Sequence, residues 1–119
     1  MKRYWPVSAT IAVLLISNTA LAQSSQPVEM PRFETKENCD TIASAGGSRS
    51  ERVFGTCFKR EQAAYNALKP RWADVAPSIR AHCEKVTMVG GAGSFNTLKS
   101  CVDREEKSAA ANTLRTFQR

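Results

Sequence analysis

The spacing of the four cysteines constrains the fold of this chain more than any other sequence feature. Cys39 and Cys57 are 18 positions apart, and Cys83 and Cys101 are separated by the same number. An even number of cysteines in a short chain is typical of a disulfide framework. Because four cysteines allow three pairings, the neighbouring sequence has to decide which bonds form.

A repeated segment surrounds these cysteines. Residues 39–61 align with residues 83–105 at an offset of 44 positions, and seven of the 23 aligned positions are identical. Unrelated segments of ordinary composition would match at about one or two positions. Two units are too few for a solenoid, so the repeat indicates a duplicated hairpin. The cysteines align as Cys39 with Cys83 and Cys57 with Cys101. The other identical positions are Gly46 and Gly90, Gly47 and Gly91, Ser50 and Ser94, Arg60 and Arg104, and Glu61 and Glu105.

Each unit has the pattern of a helix, a glycine turn and a second helix. In the first unit, Cys39 and Ile42 are three positions apart and share one helix face. The glycine pair then ends the helix, because glycine tolerates the left-handed conformation that follows many helices. Ser48 and Glu51 fit a capping box for the next helix, and Ser94 is the predicted cap in the second unit. Strand-like alternation is nearly absent, so the predicted fold class is all-α.

The helices that follow the glycine turns carry the residues expected in the core. The first of these helices has apolar residues at helical spacing, with Glu61 in a gap where an apolar residue would be expected. Pro70 and Pro77 disfavour a helix interior. We therefore expect this helix to end or kink near Lys69, a third helix to begin near Pro77, and Trp72 to lie on a single turn between them. The predicted contacts between the two hairpins are made by Phe54, Phe58, Tyr65, Leu68, Leu98 and Val102.

Symmetry within each unit favours one disulfide connectivity. Cys39 and Cys57 are each nine residues from position 48, and Cys83 and Cys101 are each nine residues from position 92. Residues equidistant from the turn of an antiparallel helical hairpin face each other, at the short Cα separation that a disulfide needs. We therefore predict the bonds Cys39–Cys57 and Cys83–Cys101, which would staple two helical hairpins. Pairing between the two units is the alternative.

The N-terminal residues have the three parts of a secretory signal peptide. Lys2 and Arg3 supply the positive charge, residues 7–16 form the apolar region, and Ala20-Leu21-Ala22 fits a cleavage site. The apolar run is shorter than the roughly 20 residues that span a bilayer. We therefore expect a periplasmic or secreted protein whose mature form has no membrane span.

The domain organisation follows from these features. We predict a signal peptide over residues 1–22, a flexible leader over residues 23–34, and a single disulfide-stapled four-helix domain over residues 35–119. The leader is predicted from its serines and prolines. The two repeat units of the domain are expected to cover about residues 35–69 and 77–117.

The charge of the chain argues against a nucleic-acid partner. The formal net charge is +6, and loss of Lys2 and Arg3 with the signal gives +6 − 2 = +4. Acidic and basic residues are interspersed, and no basic block of the kind that binds nucleic acid occurs.

The chemistry of the sequence favours a protein without catalysis. It has no C-x-x-C redox motif and no closely spaced ligand pairs for a structural metal, so we expect neither catalytic residues nor a cofactor. The functional hypothesis is a binding or structural role in the cell envelope, with an envelope or extracellular protein as partner. The alternative is a small hydrolase that uses His82, or the recurring pair Glu61 and Glu105.

One set of residues resembles those of known proteins: Cys39, Cys57, Glu61, Ala64, Tyr65, Leu68, Trp72, Arg80, Cys83, Gly90-Gly91, Cys101 and Leu114. With these residues the chain looks like the small exported four-cysteine helical proteins of bacteria. It also resembles, more loosely, the lysozyme-inhibitor family of the LprI type, whose cysteine-rich helical domains have a Gly-Gly turn before the last cysteine. The resemblance implies a helical domain and, for the LprI type, inhibition of lysozyme.

Overall fold

A computed structural model describes residues 26–119 of the chain. Within these residues the regular elements are four α-helices and two short 3₁₀ segments, Lys69–Asp74 and Met88–Gly90. The predicted all-α fold class is therefore confirmed, whereas the predicted signal peptide, residues 1–22, lies outside the described residues. The α-helices are α1 (Thr35–Ala43), α2 (Glu51–Leu68), α3 (Pro77–Thr87) and α4 (Phe95–Asn112).

Both predicted disulfides are confirmed. Cys39 is bonded to Cys57 and links α1 to α2, and Cys83 is bonded to Cys101 and links α3 to α4. The Cα atoms are 5.6 Å apart in each bond, which is within the usual range for a disulfide. Each bond thus joins the two helices of one hairpin.

The two hairpins meet through their longer helices. Among the described helices, α1 packs only on α2, α2 packs also on α4, and α4 packs also on α3. The core lies between α2, α4 and the link that joins the hairpins. Its fully buried side chains include those of Leu68, Trp72, Val75, Leu98 and Val102.

The link between the hairpins has the predicted form. Helix α2 ends at Leu68, the 3₁₀ segment carries Trp72, and α3 begins at Pro77, where proline suits the first turn of a helix. The guanidinium of Arg80 donates to the carbonyl oxygens of Trp72, Ala73 and Val75 at 3.2, 3.1 and 2.9 Å. Arg80 therefore adds hydrogen bonds to carbonyl groups at the end of the 3₁₀ segment, among them that of Trp72, which also accepts from the backbone N–H of Val75.

Two of the predicted core residues lie elsewhere. Phe54 is only partly buried, and the side chain of Phe58 is 40% exposed. The two rings stack on each other with centroids 5.9 Å apart. The buried face of α2 is formed instead by Glu61, Ala64 and Leu68. It is rotated around the helix axis from the face on which Phe54 and Phe58 lie.

The predicted capping box at the start of α2 is also wrong. Ser50 caps this helix, and its hydroxyl accepts a hydrogen bond from the backbone N–H of Val53. Ser50 has the extended backbone conformation of an N-cap residue. Ser48 precedes the helix, and Glu51 instead forms an ion pair with Arg49. In α4 the predicted cap is correct, because Ser94 accepts from the backbone N–H of Thr97 at 3.2 Å.

The segment before α1 makes specific contacts with the helical core. The indole Nε1 of Trp72 donates to the carbonyl oxygen of Glu29 over 2.9 Å, and Met30 and Phe33 pack against the core. The part of the predicted leader from Glu29 onward is thus held against the domain. At the other end, α4 stops at Asn112, and the residues after it are exposed.

Candidate ligand-binding cleft

A cleft of about 540 Å³ lies between the two hairpins. One wall is formed by the end of α1 and the first turns of α2, including Ile42, Val53 and Thr56. The other wall is formed by the end of α3, the glycine turn and the first turn of α4, including Thr87 and Ala92. The cleft therefore exists only because the hairpins pack with these ends side by side.

A buried carboxylate joins the two walls. Glu61 is 4% exposed, and its Oε1 accepts a hydrogen bond from Ser94 Oγ at 2.6 Å. Its Oε2 accepts from the backbone N–H of Phe95, also at 2.6 Å. A negative charge is favourable at this position because the N-terminus of α4 has unpaired N–H groups and the positive end of the helix dipole. Glu61 of the first hairpin thus helps to cap the helix of the second.

Aromatic side chains cover this polar contact. The ring centroid of Phe95 lies 4.7 Å from that of Phe33 and 5.0 Å from that of Tyr65. Phe33 also packs against Gly93, so closely that a Cβ atom on this residue would overlap with the ring. Because Gly93 has a φ of +73° as well, both space and backbone conformation require glycine there. The segment before α1 therefore helps to fix the glycine turn that forms one wall of the cleft.

Thr87 is a polar residue of the cleft wall with unused hydrogen-bonding capacity. It is 5% exposed, and its Oγ1 has no hydrogen-bond partner among the described residues. A buried hydroxyl group without a partner costs about 1–3 kcal/mol. Since less than 1 Å² of Oγ1 is accessible, Thr87 offers no hydrogen-bonding group to the surface of the cleft.

The cleft carries positive charge. Arg52 and Arg60 line it from α2, and neither forms an ion pair within residues 26–119. The first turns of both α2 and α4 contribute lining residues, among them Asn96 and Thr97 of α4. The positive partial charge at the start of α2 borders the cleft, whereas that at the start of α4 is already compensated by Glu61. The one carboxylate that the described residues place in the lining, that of Glu61, is already hydrogen bonded to the start of α4.

The residues of the hydrolase hypothesis occupy two separate places. Glu61 contacts Ser94 and Phe95, whereas Glu105 lies 3.9 Å from Nε2 of His82 across the exposed side of α3 and α4. The Ser94 hydroxyl donates to Glu61 and accepts from the first turn of α4, so both of its roles are structural. The two glutamates that align in the sequence repeat are therefore in different environments.

A second charged cluster holds the link against α4. Arg71 forms ion pairs with Asp103 and with Glu106, the latter at 2.7 Å, and Lys99 lies 2.6 Å from Asp103. The hydrogen bonds from Lys99 and from Arg71 hold the pKa of Asp103 below its ordinary value, against an opposing effect of burial. None of these residues lines the cleft, and the cluster stabilises the packing of the link on α4.

Two further properties bear on the chemistry of the site. In residues 26–119, no three histidine, cysteine, aspartate or glutamate side chains converge in a way that could hold a metal ion. None of the helices described here has the length and apolar character needed to cross a membrane.

The sequence pattern did not reveal the cleft. The four predicted cysteines have structural positions, and Cys57 also contributes to the cleft lining. Glu61 was the one signal, because it interrupts an apolar stripe. Ser94 and Phe95 are more than 30 positions from it, so no local pattern links them. In comparisons with known proteins, no family model, no curated protein and no solved structure matches this chain.

Proposed function

We propose that this chain is an exported, non-catalytic binding protein of the cell envelope, and that the cleft between its hairpins is the binding site. The observation that carries the proposal is the cleft itself, with its apolar and cationic groups in one space. Its volume lies in the range of small-ligand pockets, roughly 300–1,000 Å³. Two disulfides fit an oxidising compartment such as the periplasm or the cell exterior, as does the signal-like N-terminal sequence.

The rigidity of the walls supports this proposal. The Cys39–Cys57 bond holds α1 on α2, and the Cys83–Cys101 bond holds α3 on α4. Glu61 then ties one wall to the other. A preformed cleft binds with less loss of conformational entropy than a mobile surface.

Capture from an envelope extract tests the proposal. The oxidised protein is incubated with the extract and isolated by gel filtration, and the retained compounds are identified by mass spectrometry. Thr56→Trp places a large side chain in the cleft, whereas Ala63→Trp is the control because Ala63 is exposed on α2 and does not line the cleft. We expect compounds that remain with the wild type and with Ala63→Trp but are lost from Thr56→Trp. Equal retention by all three proteins would refute the cleft as the site.

Lysozyme inhibition, implied by the resemblance to the LprI type, is the alternative function. A cationic enzyme would be repelled at long range by a chain whose formal net charge is +6. This charge favours the cleft proposal over inhibition. A lysozyme assay on bacterial cell walls decides the point, and inhibition that persists in Thr56→Trp would support the alternative.

A further inference from the structure

We infer that the cleft binds a small organic anion with an apolar body, such as a medium-chain carboxylate or an alkyl phosphate. This inference rests on the proposed function, since it names the ligand class of the same cleft. Two independent features of the lining carry it: the cationic groups and the apolar side chains.

The first feature is the set of groups that favour an anion. Arg52 and Arg60 lie on α2 eight positions apart and both line the cleft. Guanidinium groups bind carboxylate and phosphate oxygens by charge-assisted hydrogen bonds. The start of α2 adds backbone N–H groups and the positive end of its helix dipole. Helix α2 is 18 residues long, so its dipole is fully developed.

The carboxylate of Glu61, the only one that residues 26–119 contribute to the lining, does not offset this preference. Both of its oxygens accept short hydrogen bonds from Ser94 and Phe95, and the side chain is almost completely buried. Its negative charge is therefore compensated by the groups at the start of α4. A cationic ligand would meet Arg52 and Arg60, which repel it.

The second feature is the apolar part of the lining. Ile42 and Val53 line the cleft and are 49% and 37% exposed. Both belong to the wall that carries the arginines, and Ala92 lies on the opposite wall. A ligand with an aliphatic or aromatic body would remove these side chains from water, which is favourable by about 25 cal/mol for each Å² of apolar area. An inorganic anion would leave them exposed.

Titration calorimetry of the oxidised full chain with four probes tests the inference. The probes are octanoate, octyl phosphate, 1-octanol and octyltrimethylammonium, which share one apolar body and differ in the head group. We expect octanoate or octyl phosphate to bind at least tenfold more tightly than 1-octanol, and the cation to bind most weakly. The ratio of the two anions identifies which head group the cleft prefers.

Two charge-removal variants locate the effect. Arg52→Gln/Arg60→Gln is expected to lower the affinity for the preferred anion about tenfold. Lys59→Gln/Arg104→Gln removes the same charge from exposed positions outside the cleft and is expected to leave affinity within about twofold, because exposed charges that do not contact the ligand are screened by salt.

The outcomes separate the inference from the proposed function. If 1-octanol binds as tightly as the anions and Thr56→Trp abolishes its binding, the cleft is a site but the anion inference is overturned. If the two charge-removal variants lose affinity equally, the effect is one of net charge and the inference is overturned. If none of the four probes binds, the inference fails, and the extract experiment alone decides the proposed function.

Discussion

The backbone N–H of Phe95 donates to Glu61 Oε2 over 2.6 Å, so a side chain of the first hairpin caps the main helix of the second. The other oxygen of Glu61 accepts from Ser94, which itself caps the next backbone groups of α4. This double contact lies at the junction of the two cleft walls. It couples the packing of the hairpins to the geometry of the proposed binding site.

Removal of the Glu61 carboxylate is expected to destabilise the protein. Glu61→Ala leaves the N–H of Phe95 buried without its acceptor and should lower the free energy of unfolding by about 2–3 kcal/mol. Glu61→Gln keeps one acceptor oxygen and should lose less. Urea unfolding of the oxidised protein measures both changes. Glu105→Ala is the matched control, because Glu105 aligns with Glu61 in the repeat but is partly exposed, and its change should stay within about 0.5 kcal/mol. Equal losses at the two positions would contradict the capping role.

Glu61 also shows how far the sequence predicts this structure. A glutamate in an apolar helical stripe predicts an internal polar contact, and Glu61 makes one. The partner could not be predicted, because it depends on how α2 lies against α4. The disulfides were predictable because the two cysteines of each bond are equidistant from the turn of one hairpin. Their pairing therefore depends only on residues within that unit.

The errors of prediction have the same physical origin. Phe54 and Phe58 are large and apolar, and their spacing predicts a core position, yet Ala64 occupies the buried face of α2. A small side chain there lets the two helices approach closely, and the phenylalanines are left at the surface of the hairpin. Helical periodicity predicts that one face is buried, but the choice between neighbouring faces depends on the partner helix. The cleft was not predictable for the same reason.

The two disulfides are expected to protect different parts of the chain from local unfolding. Each bond closes a loop of the same length. By the chain-entropy estimate, each should stabilise the folded state by about 3 kcal/mol. Because α1 packs only on α2 among the described helices, Cys39→Ala/Cys57→Ala should mainly accelerate hydrogen exchange in residues 35–43. Cys83→Ala/Cys101→Ala removes a bond within the main core and should accelerate exchange in α2, α3 and α4 together. Identical exchange profiles for the two variants would contradict this division.

The glycine turn of the second hairpin is expected to tolerate no side chain at Gly93. Gly93→Ala combines a positive φ with steric overlap between the new Cβ atom and the Phe33 ring, and should lower the unfolding free energy by about 1–3 kcal/mol. Gly46→Ala is the control, since Gly46 has no positive φ and a Cβ atom there would have open space around it. Thermal unfolding followed by circular dichroism measures both. A Gly93→Ala protein as stable as Gly46→Ala would show that Phe33 does not pack on the turn.

Acid is expected to weaken the attachment of the link to α4. Hydrogen bonds from Lys99 and Arg71 lower the pKa of Asp103 from the ordinary value of 3.8. A carboxylate with a lowered pKa in the folded state stabilises the fold above that ordinary value, and the contribution is lost as the pH falls through the lower, folded-state pKa. Stability should therefore decrease as the pH falls below about 4.

Variants of the cationic partners identify the source of this acid sensitivity. Lys99→Gln and Arg71→Gln should each reduce the difference in stability between pH 6 and pH 3, because the pKa of Asp103 then moves back toward its ordinary value. Lys85→Gln removes an exposed charge without an ion pair within residues 26–119 and should leave the difference unchanged. Unfolding curves at both pH values provide the comparison. An unaltered pH dependence in Lys99→Gln and Arg71→Gln would show that Asp103 does not contribute to it.

The most direct test of the binding site is a map of ligand-induced chemical shifts. The ¹⁵N-labelled oxidised protein is titrated with octanoate, and backbone amide signals are followed by NMR. We predict shifts concentrated in residues 52–60 at the start of α2 and residues 87–97 around the glycine turn, two segments that line the cleft from opposite sides. Shifts confined to the exposed side of α3 and α4 near His82 and Glu105, or an absence of saturable shifts in both cleft walls, would contradict it.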